Sequence, residues 1–384
     1  MTRLMPVAGR AERGAPAPPV LFWCDTTARQ PFETGIQRVT RRLARGLEAC
    51  GLDVVPVGWD AGRRLMRPLG DAGAAGPDRC EAASGGDWLI LPEIPSTLLG
   101  EDIDPIRLAR ASGLRVAAIV HDLIPIRLAH LYSPAQTLLY RRYFRMLARA
   151  DLVLATTRLV AGHLRAYLEG EGLPVPEIGV VPLPAQFADR PRLREAPPPR
   201  AAGEPLRLLA VSTWEPRKNL PRLLRALDRA QRSHGAAIRL TLVGRRGASA
   251  ALDAEIEGLL AGLPQAQATE RVDDDALVAL YRSHHASVYP SCDEGFGLPV
   301  LESLWLGRPC LCHAGSAMAE VAPGGGTLML DMAGEAAIAD GLGRLAREPG
   351  LLDRLSGEAR GRPLRDWTDY AADVADRTGL GGRG

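Results

Sequence analysis

Residues 289–309 read YPSCDEGFGLPVLESLWLGRP, and the stretch parses as the end of a strand, a glycine-containing loop and a helix. Pro299 falls in the first helical turn and Gly307 at the C-terminal end, the positions where each residue suits helix geometry. A strand-to-helix junction of this kind aims several backbone N–H groups and the positive end of a helix at one point, which suits a phosphate or a sugar oxygen. Gly295 and Gly297 let a ligand approach the backbone closely. The junction is also the repeating unit of a doubly wound α/β sheet.

Within that helix Glu302 is the exception, because Val300, Leu301, Leu304, Trp305 and Leu306 surround it with apolar residues. A buried carboxylate needs partners, and a ribose hydroxyl pair would satisfy both of its oxygens. A salt bridge to a neighbouring Arg is the simpler account of a lone Glu. Glu294, in the preceding loop, changes the balance, since it could touch a sugar's hydroxyls or the charge that builds at its anomeric carbon.

A second junction lies at Val211–Leu220, VSTWEPRKNL. Arg217 and Lys218 are expected at the start of a helix, where positive side chains oppose the macrodipole. An isolated basic pair is ordinarily a solvated turn. After the first strand of a domain it makes sense if an anion lies there, because a diphosphate would be held by a fork, a point charge and the helix N-terminus together.

Apolar, β-branched runs alternate with helical patterns around these junctions. In the first half strands are expected near Val20–Cys24, Asp53–Val57, Trp88–Leu91, Arg115–Val120, Leu152–Ala155 and Ile178–Val181. The second half repeats the rhythm at Leu206–Ser212, Ile238–Val243, Ala286–Tyr289 and Cys310–Cys312. The fold class is therefore α/β, with two Rossmann-like domains. The expected divisions are a loose tail over 1–19, a first domain over 20–182, a Pro- and Arg-rich linker over 183–205, a second domain over 206–362, and a C-terminal helix and tail over 363–384 that could pack back on the first domain.

With 384 residues and 46% hydrophobic residues the chain suits two domains with separate cores. A net charge of +2 argues against nucleic acid as a partner. The six cysteines lack C-x-x-C spacing, so a reduced compartment and no metal site are expected. No stretch has the pattern of a signal peptide or the length to cross a bilayer, which places the expected location in the cytoplasm.

The runs EPRKN, VGRRG, the L-Y-x-x-x-x-A-x-V-Y-P-S pattern ending at Ser291, and EGFGLPVLE resemble the C-terminal domain of glycosyltransferase family 4, whose GT-B fold implies that the two Rossmann-like domains face each other across a cleft. TGIQRV around Gly35 and HDLIP from His121 to Pro125 resemble its bacterial polysaccharide mannosyltransferase branch, and the similarity runs from about Leu21 to Ala322. The resemblance implies that Arg217 and Lys218 bind a donor diphosphate, Glu294 the transferred sugar and Glu302 the ribose. It further implies that Phe296 and Gly297 offer backbone N–H groups, with Gly295 and Leu298 in the same donor-binding loop. Gly35 would lie in a glycine loop that closes over the diphosphate, and His121 would end a strand facing the donor sugar; a core or capping role for His121 weighs about equally.

The implied reaction is a retaining, metal-independent hexosyl transfer in polysaccharide or glycolipid synthesis, without cofactor. The donor would be a nucleotide sugar, with GDP-mannose favoured, and the acceptor a saccharide or a lipid-linked saccharide. Departures from the family pattern are AVST before EPRKN, the His284–His285 pair, and VAPGGG after Glu320, which lacks the usual Pro.

Asp273, Asp274 and Asp275 open a helical pattern and read as caps rather than as metal ligands. Arginine stripes at Arg38, Arg41, Arg42 and Arg45, and at Arg141, Arg142, Arg145 and Arg149, read first as solvated faces; their sharper reading is peripheral contact with the inner face of the cell membrane. An epimerase or hydrolase on the same scaffold, and a non-catalytic pseudo-transferase, are the rival functions. A nicotinamide oxidoreductase is disfavoured because no G-x-G-x-x-G follows either first strand.

Overall fold

The computed structural model describes residues 19–30, 35–62, 65–69, 87–100, 103–201, 203–247, 249–270 and 272–381. Of the sequence expectations, nearly all of the tail over 1–19, together with Thr34, Cys80 and residues 382–384, lies outside the described residues.

The first half builds a seven-stranded sheet from β1 (Val20–Trp23), β2 (Val54–Asp60), β3 (Leu65–Pro68), β4 (Trp88–Leu91), β5 (Arg115–Val120), β6 (Leu152–Ala155) and β7 (Glu177–Val180), in the order β3-β2-β1-β4-β5-β6-β7. The second builds a six-stranded parallel sheet from β8 (Leu206–Val211), β9 (Ile238–Val243), β10 (Ala266–Thr269), β11 (Ala286–Tyr289), β12 (Cys310–His313) and β13 (Thr327–Leu330), ordered β10-β9-β8-β11-β12-β13. Helices cover the sheets, so the central strands β1, β4, β6 and β11 are buried along their whole length. Strands buried on both faces read as continuous apolar runs.

Three strands carry no such signal. β3 is a half-exposed edge strand and pairs antiparallel with β2; β10, AQAT, is a polar edge strand; and β13 is only partly buried along its length. Edges keep one side wet and lose the apolar signature.

The Pro-rich segment after β7 is not a loose connection. Leu183, Ala185, Phe187, Ala188 and Leu193 are buried, and Leu193 N donates to Trp305 O at 3.0 Å. The C-terminal helix Trp367–Thr378 returns to the first domain and packs on helix Gly35–Ala49. A Cβ on Gly46 would stand 2.7 Å from Ala371 Cβ, so glycine there permits the close approach of two helices. The C-terminal helix thereby ties the first domain to the second.

Candidate active site

In each sheet the strand order reverses once, between β1 and β4 in the first and between β8 and β11 in the second. The crevice outside the C-terminal ends of strands at such a point is where open α/β sheets bind ligands. Beyond β8 comes Ser212–Lys218, and beyond β11 comes Pro290–Gly297. The two motifs, some 70 residues apart in sequence, emerge side by side because their strands pair.

Arg217 and Lys218 do not occupy the first turn of a helix, as the sequence suggested. They sit in a separate 3₁₀ turn, Pro216–Lys218, and helix Leu220–His234 begins only after Asn219, whose φ of 59° breaks the path. The strain at Asn219 is offset by its side chain, which donates to Pro290 O at 3.2 Å and to Met332 O at 2.7 Å. The turn swings both cations towards the β11 loop instead of leaving them against the helix dipole.

Glu294 is their meeting point. Its Oε1 accepts from Arg217 Nη1 at 2.6 Å, Lys218 Nζ at 2.6 Å, Tyr289 OH at 2.8 Å and Ser291 Oγ at 2.5 Å. The other oxygen, Oε2, has no partner among the described residues. Burial alone would raise this carboxyl's pKa, but Lys218 and Arg217 hold it down at about 2. Burial pulls the Lys218 ammonium downward and Glu294 opposes it. Burial also works against the Arg217 charge, yet Glu294, Tyr289 and Glu215 keep it above its ordinary value. The free site is thus charged but internally compensated, with one carboxylate oxygen left to bond a ligand hydroxyl.

The loop that follows is pressed against the first domain. A Cβ on Gly295 would lie 1.9 Å from His121 O and 2.5 Å from Asp122 Cβ. Gly295 O accepts from Thr156 Oγ1 at 3.1 Å and Thr157 Oγ1 at 3.3 Å. Alongside, Arg127 pairs with Asp293 at 2.6 Å, and the Glu320 carboxylate accepts from Arg158 N at 3.0 Å and Leu159 N at 2.7 Å. Glu320 therefore caps helix Arg158–Gly170 from the opposite domain, where a negative charge suits the helix N-terminus. Phe296 is buried, and neither its N–H nor that of Gly297 has a protein acceptor among the described residues. Leu298 begins helix Leu298–Trp305.

His121 follows β5 directly, and its Nε2 donates to Pro92 O at 2.8 Å. Burial lowers its pKa and that hydrogen bond opposes the shift, so the ring is neutral with its proton on Nε2. Next to it, burial raises the Asp122 pKa while Arg217 across the cleft counteracts.

Glu302 lies on the buried side of its helix and pairs with Arg38 Nη1 of the first domain at 2.5 Å. Arg38 starts the first arginine stripe, and the structure turns Arg38, Arg41 and Arg42 of that stripe towards protein partners rather than into a fully solvated face, while Arg45 stays exposed. Arg41 donates to Thr27 O and Gln30 O, while Arg42 and Arg45 pair with Asp189. Periodicity shows which residues share a face but not which way the face points. Gly35 opens the same helix with open space around its Cα. The second stripe is exposed, with Arg145 paired to Glu171 and Arg149 to Asp104.

Asp273 caps its helix by accepting from Ala276 N at 2.8 Å. His284 and His285 bond to Leu280 O, Thr241 Oγ1 and Arg207 N within the second domain and take no part in the cleft.

A cleft of about 570 Å³ opens beside Arg217. Leu128, Leu131 and Leu159 line it from the first domain, and Pro216, Asp293 and Ser316 from the second. Tyr289, Ser291, Thr156, Thr157 and Glu320 belong to this neighbourhood although the sequence did not single them out for it. Tyr289 and Ser291 were legible as part of the V-Y-P-S pattern, whereas two threonines after a strand carry no distinguishing signal.

The family described as "Glycosyl transferases group 1" matches residues 205–348, the part of the chain that carries both motifs. The serotype-specific mannosyltransferase WbdA of Escherichia coli is 26% identical over 72% of this chain. The second half of the chain is thus similar to glycosyltransferases, mannosyltransferases among them. The chain spans about a third of the length of this curated relative, 36% of WbdA. Its fold is GT-B, similar to that of sucrose-phosphate synthase from Thermosynechococcus elongatus, with a TM-score of 0.68, 19% identity, and 94% and 98% of the two chains covered. The Anabaena protein Alr3699/HepE, solved in complex with UDP and glucose, gives a TM-score of 0.65 at 14% identity, with 94% and 99% covered. Among the described residues no helix is long and apolar enough to cross a membrane.

Proposed function

We propose that the chain transfers a hexosyl group, mannosyl by preference, from a nucleoside diphosphate sugar to a saccharide or lipid-linked acceptor with retention of configuration. The observation that supports this most is the convergence of Arg217, Lys218 and Glu294 at the switch point of the second sheet, beside the unpaired N–H groups of Phe296 and Gly297. In this reading the diphosphate takes over the two cations, the free Oε2 of Glu294 accepts from a sugar hydroxyl, and Glu302 turns from Arg38 to the ribose. The anomeric C–O bond to the diphosphate breaks, the acceptor oxygen bonds to that carbon, and its proton leaves with the nucleoside diphosphate. Arg217 and Lys218 stabilise the negative charge that builds on the leaving group. Closure of the domains excludes water and suppresses donor hydrolysis.

The preference for mannose rests on similarity to a mannosyltransferase over less than its full length. Location at the inner face of the cell membrane is likewise part of the proposal, supported by Leu131, exposed at the cleft, and by exposed Leu138, which lines a second hollow together with Arg141.

Turnover of GDP-mannose and UDP-glucose with a panel of acceptors tests the reading. Lys218→Ala and Glu294→Gln should each lower turnover at least ~100-fold while circular dichroism shows the fold retained. Near-normal turnover in both variants refutes it. An epimerase or hydrolase would instead convert the donor without any acceptor.

A further inference from the structure

Resting on that reading, we propose that Thr156 and Thr157, in the first domain, are positioning residues that align the Phe296 N–H of the second domain for the donor. All peptide bonds described are trans, and a trans peptide is planar, with the carbonyl of one residue and the N–H of the next pointing in opposite directions. Thr156 Oγ1 and Thr157 Oγ1 both reach Gly295 O. The Phe296 N–H is therefore turned away from the threonines and towards its own domain, where no protein group accepts it. An unpaired N–H in a residue only 6% exposed is rare unless a ligand or water completes it.

The threonines are suited to holding a contact that forms and breaks. Both are buried, at 0% and 2% exposure, so neither hydroxyl can be stranded without cost. Thr156 Oγ1 also lies 3.1 Å from His121 O within its own domain. Its single proton can serve His121 O when the cleft is open and Gly295 O when it is closed. Thr157 Oγ1 meanwhile accepts from Val160 N at 3.1 Å as a helix cap, which leaves its proton for Gly295 O. Gly295 has no side chain to hold the domains apart. Domain closure and orientation of a donor-binding N–H are thus one event, and the donor sugar is gripped fully only when the first domain is in place.

The test compares nucleoside diphosphate with nucleotide sugar. Binding of GDP, UDP, GDP-mannose and UDP-glucose is measured by calorimetry for the native chain, Thr156→Val, Thr156→Val/Thr157→Val and Thr156→Ser, with thermal melts to verify folding. The double variant should lose about tenfold in affinity for the nucleotide sugar and lose kcat with it. Affinity for the matching nucleoside diphosphate should stay unchanged, and Thr156→Ser should retain native behaviour. If the double variant does not fold, Thr156→Val alone decides, with about a threefold loss expected. Equal affinities in native chain and valine variants, or equal losses for both ligand types, overturn the proposal. A native chain that binds none of the four ligands overturns the glycosyltransferase reading itself, and this proposal with it.

Discussion

The Arg38 guanidinium of the first domain stands 2.5 Å from the Glu302 carboxylate of the second, although the two residues are 264 positions apart in the chain. Glu302 is the residue proposed to hold the donor ribose, and on that proposal Arg38 and the ribose compete for the same carboxylate. Removing Arg38 leaves a carboxylate that is only 9% exposed without this partner. Arg38→Ala should cost about 1–2 kcal/mol, less than a fully buried pair because Arg38 is itself partly solvated. The same variant should bind nucleotide more tightly, since a competitor is gone. Thermal melts with and without GDP or UDP check both effects: a lower melting temperature for the free chain and a larger rise on adding nucleotide. An unchanged nucleotide shift argues against competition at Glu302.

Gly295 is required by close approach and not by an unusual backbone angle. Gly295→Ala would drive a methyl group into His121 O, an atom of the rigid end of β5 that cannot move aside cheaply. Each domain should still fold, but the cleft should stand wider. Small-angle scattering should show an increased radius of gyration, and transfer should fall at least ~10-fold through loss of alignment. An unaltered scattering profile would falsify the claim that this contact sets closure.

Acid should weaken the molecule through Glu294. Its carboxyl titrates at about 2 in the folded chain, against an ordinary value of 4.5. The folded state therefore binds its proton later than the unfolded state does, and the stabilisation is fully present above pH 4.5. It is lost as the pH falls from there towards 2, by up to ~3 kcal/mol. Lys218→Met should flatten this acid limb, because it removes one of the charges that depress the pKa. Chemical denaturation between pH 5 and pH 2 provides the measurement.

Glu93 produces the opposite slope. Burial raises its pKa to about 7 although Thr27 and Thr26 donate to it. The folded chain then holds a proton that the unfolded chain has released, so stability should decline as the pH rises from about 4.5 to 7, by roughly 3 kcal/mol at most. Denaturant melts of the native chain and of Glu93→Gln, which cannot ionise, compare the slopes. A native slope no steeper than that of the variant would show that Glu93 ionises as an ordinary carboxylate.

The sequence by itself determined the repeating β-α rhythm, the two-domain α/β class and the residues of the second-domain motifs. Apolar runs of four to six residues and glycine-bearing junctions are local signals, and local sterics and burial decide them. It put Arg217 and Lys218 at one strand-to-helix junction and Glu294 at another, and only the family resemblance assigned them to one donor; that the junctions lie side by side follows from the pairing of β8 with β11. What it left undecided is everything that depends on where a face points. The arginine stripe of helix Gly35–Ala49 has the same spacing whether it meets water, a membrane or Glu302. Thr156 and Thr157 look like any pair of hydroxyls after a strand until Gly295 is laid against them. Only tertiary structure settles such contacts, because they join residues more than a hundred positions apart whose meeting is fixed by the packing of two complete domains rather than by the conformational preferences of either segment.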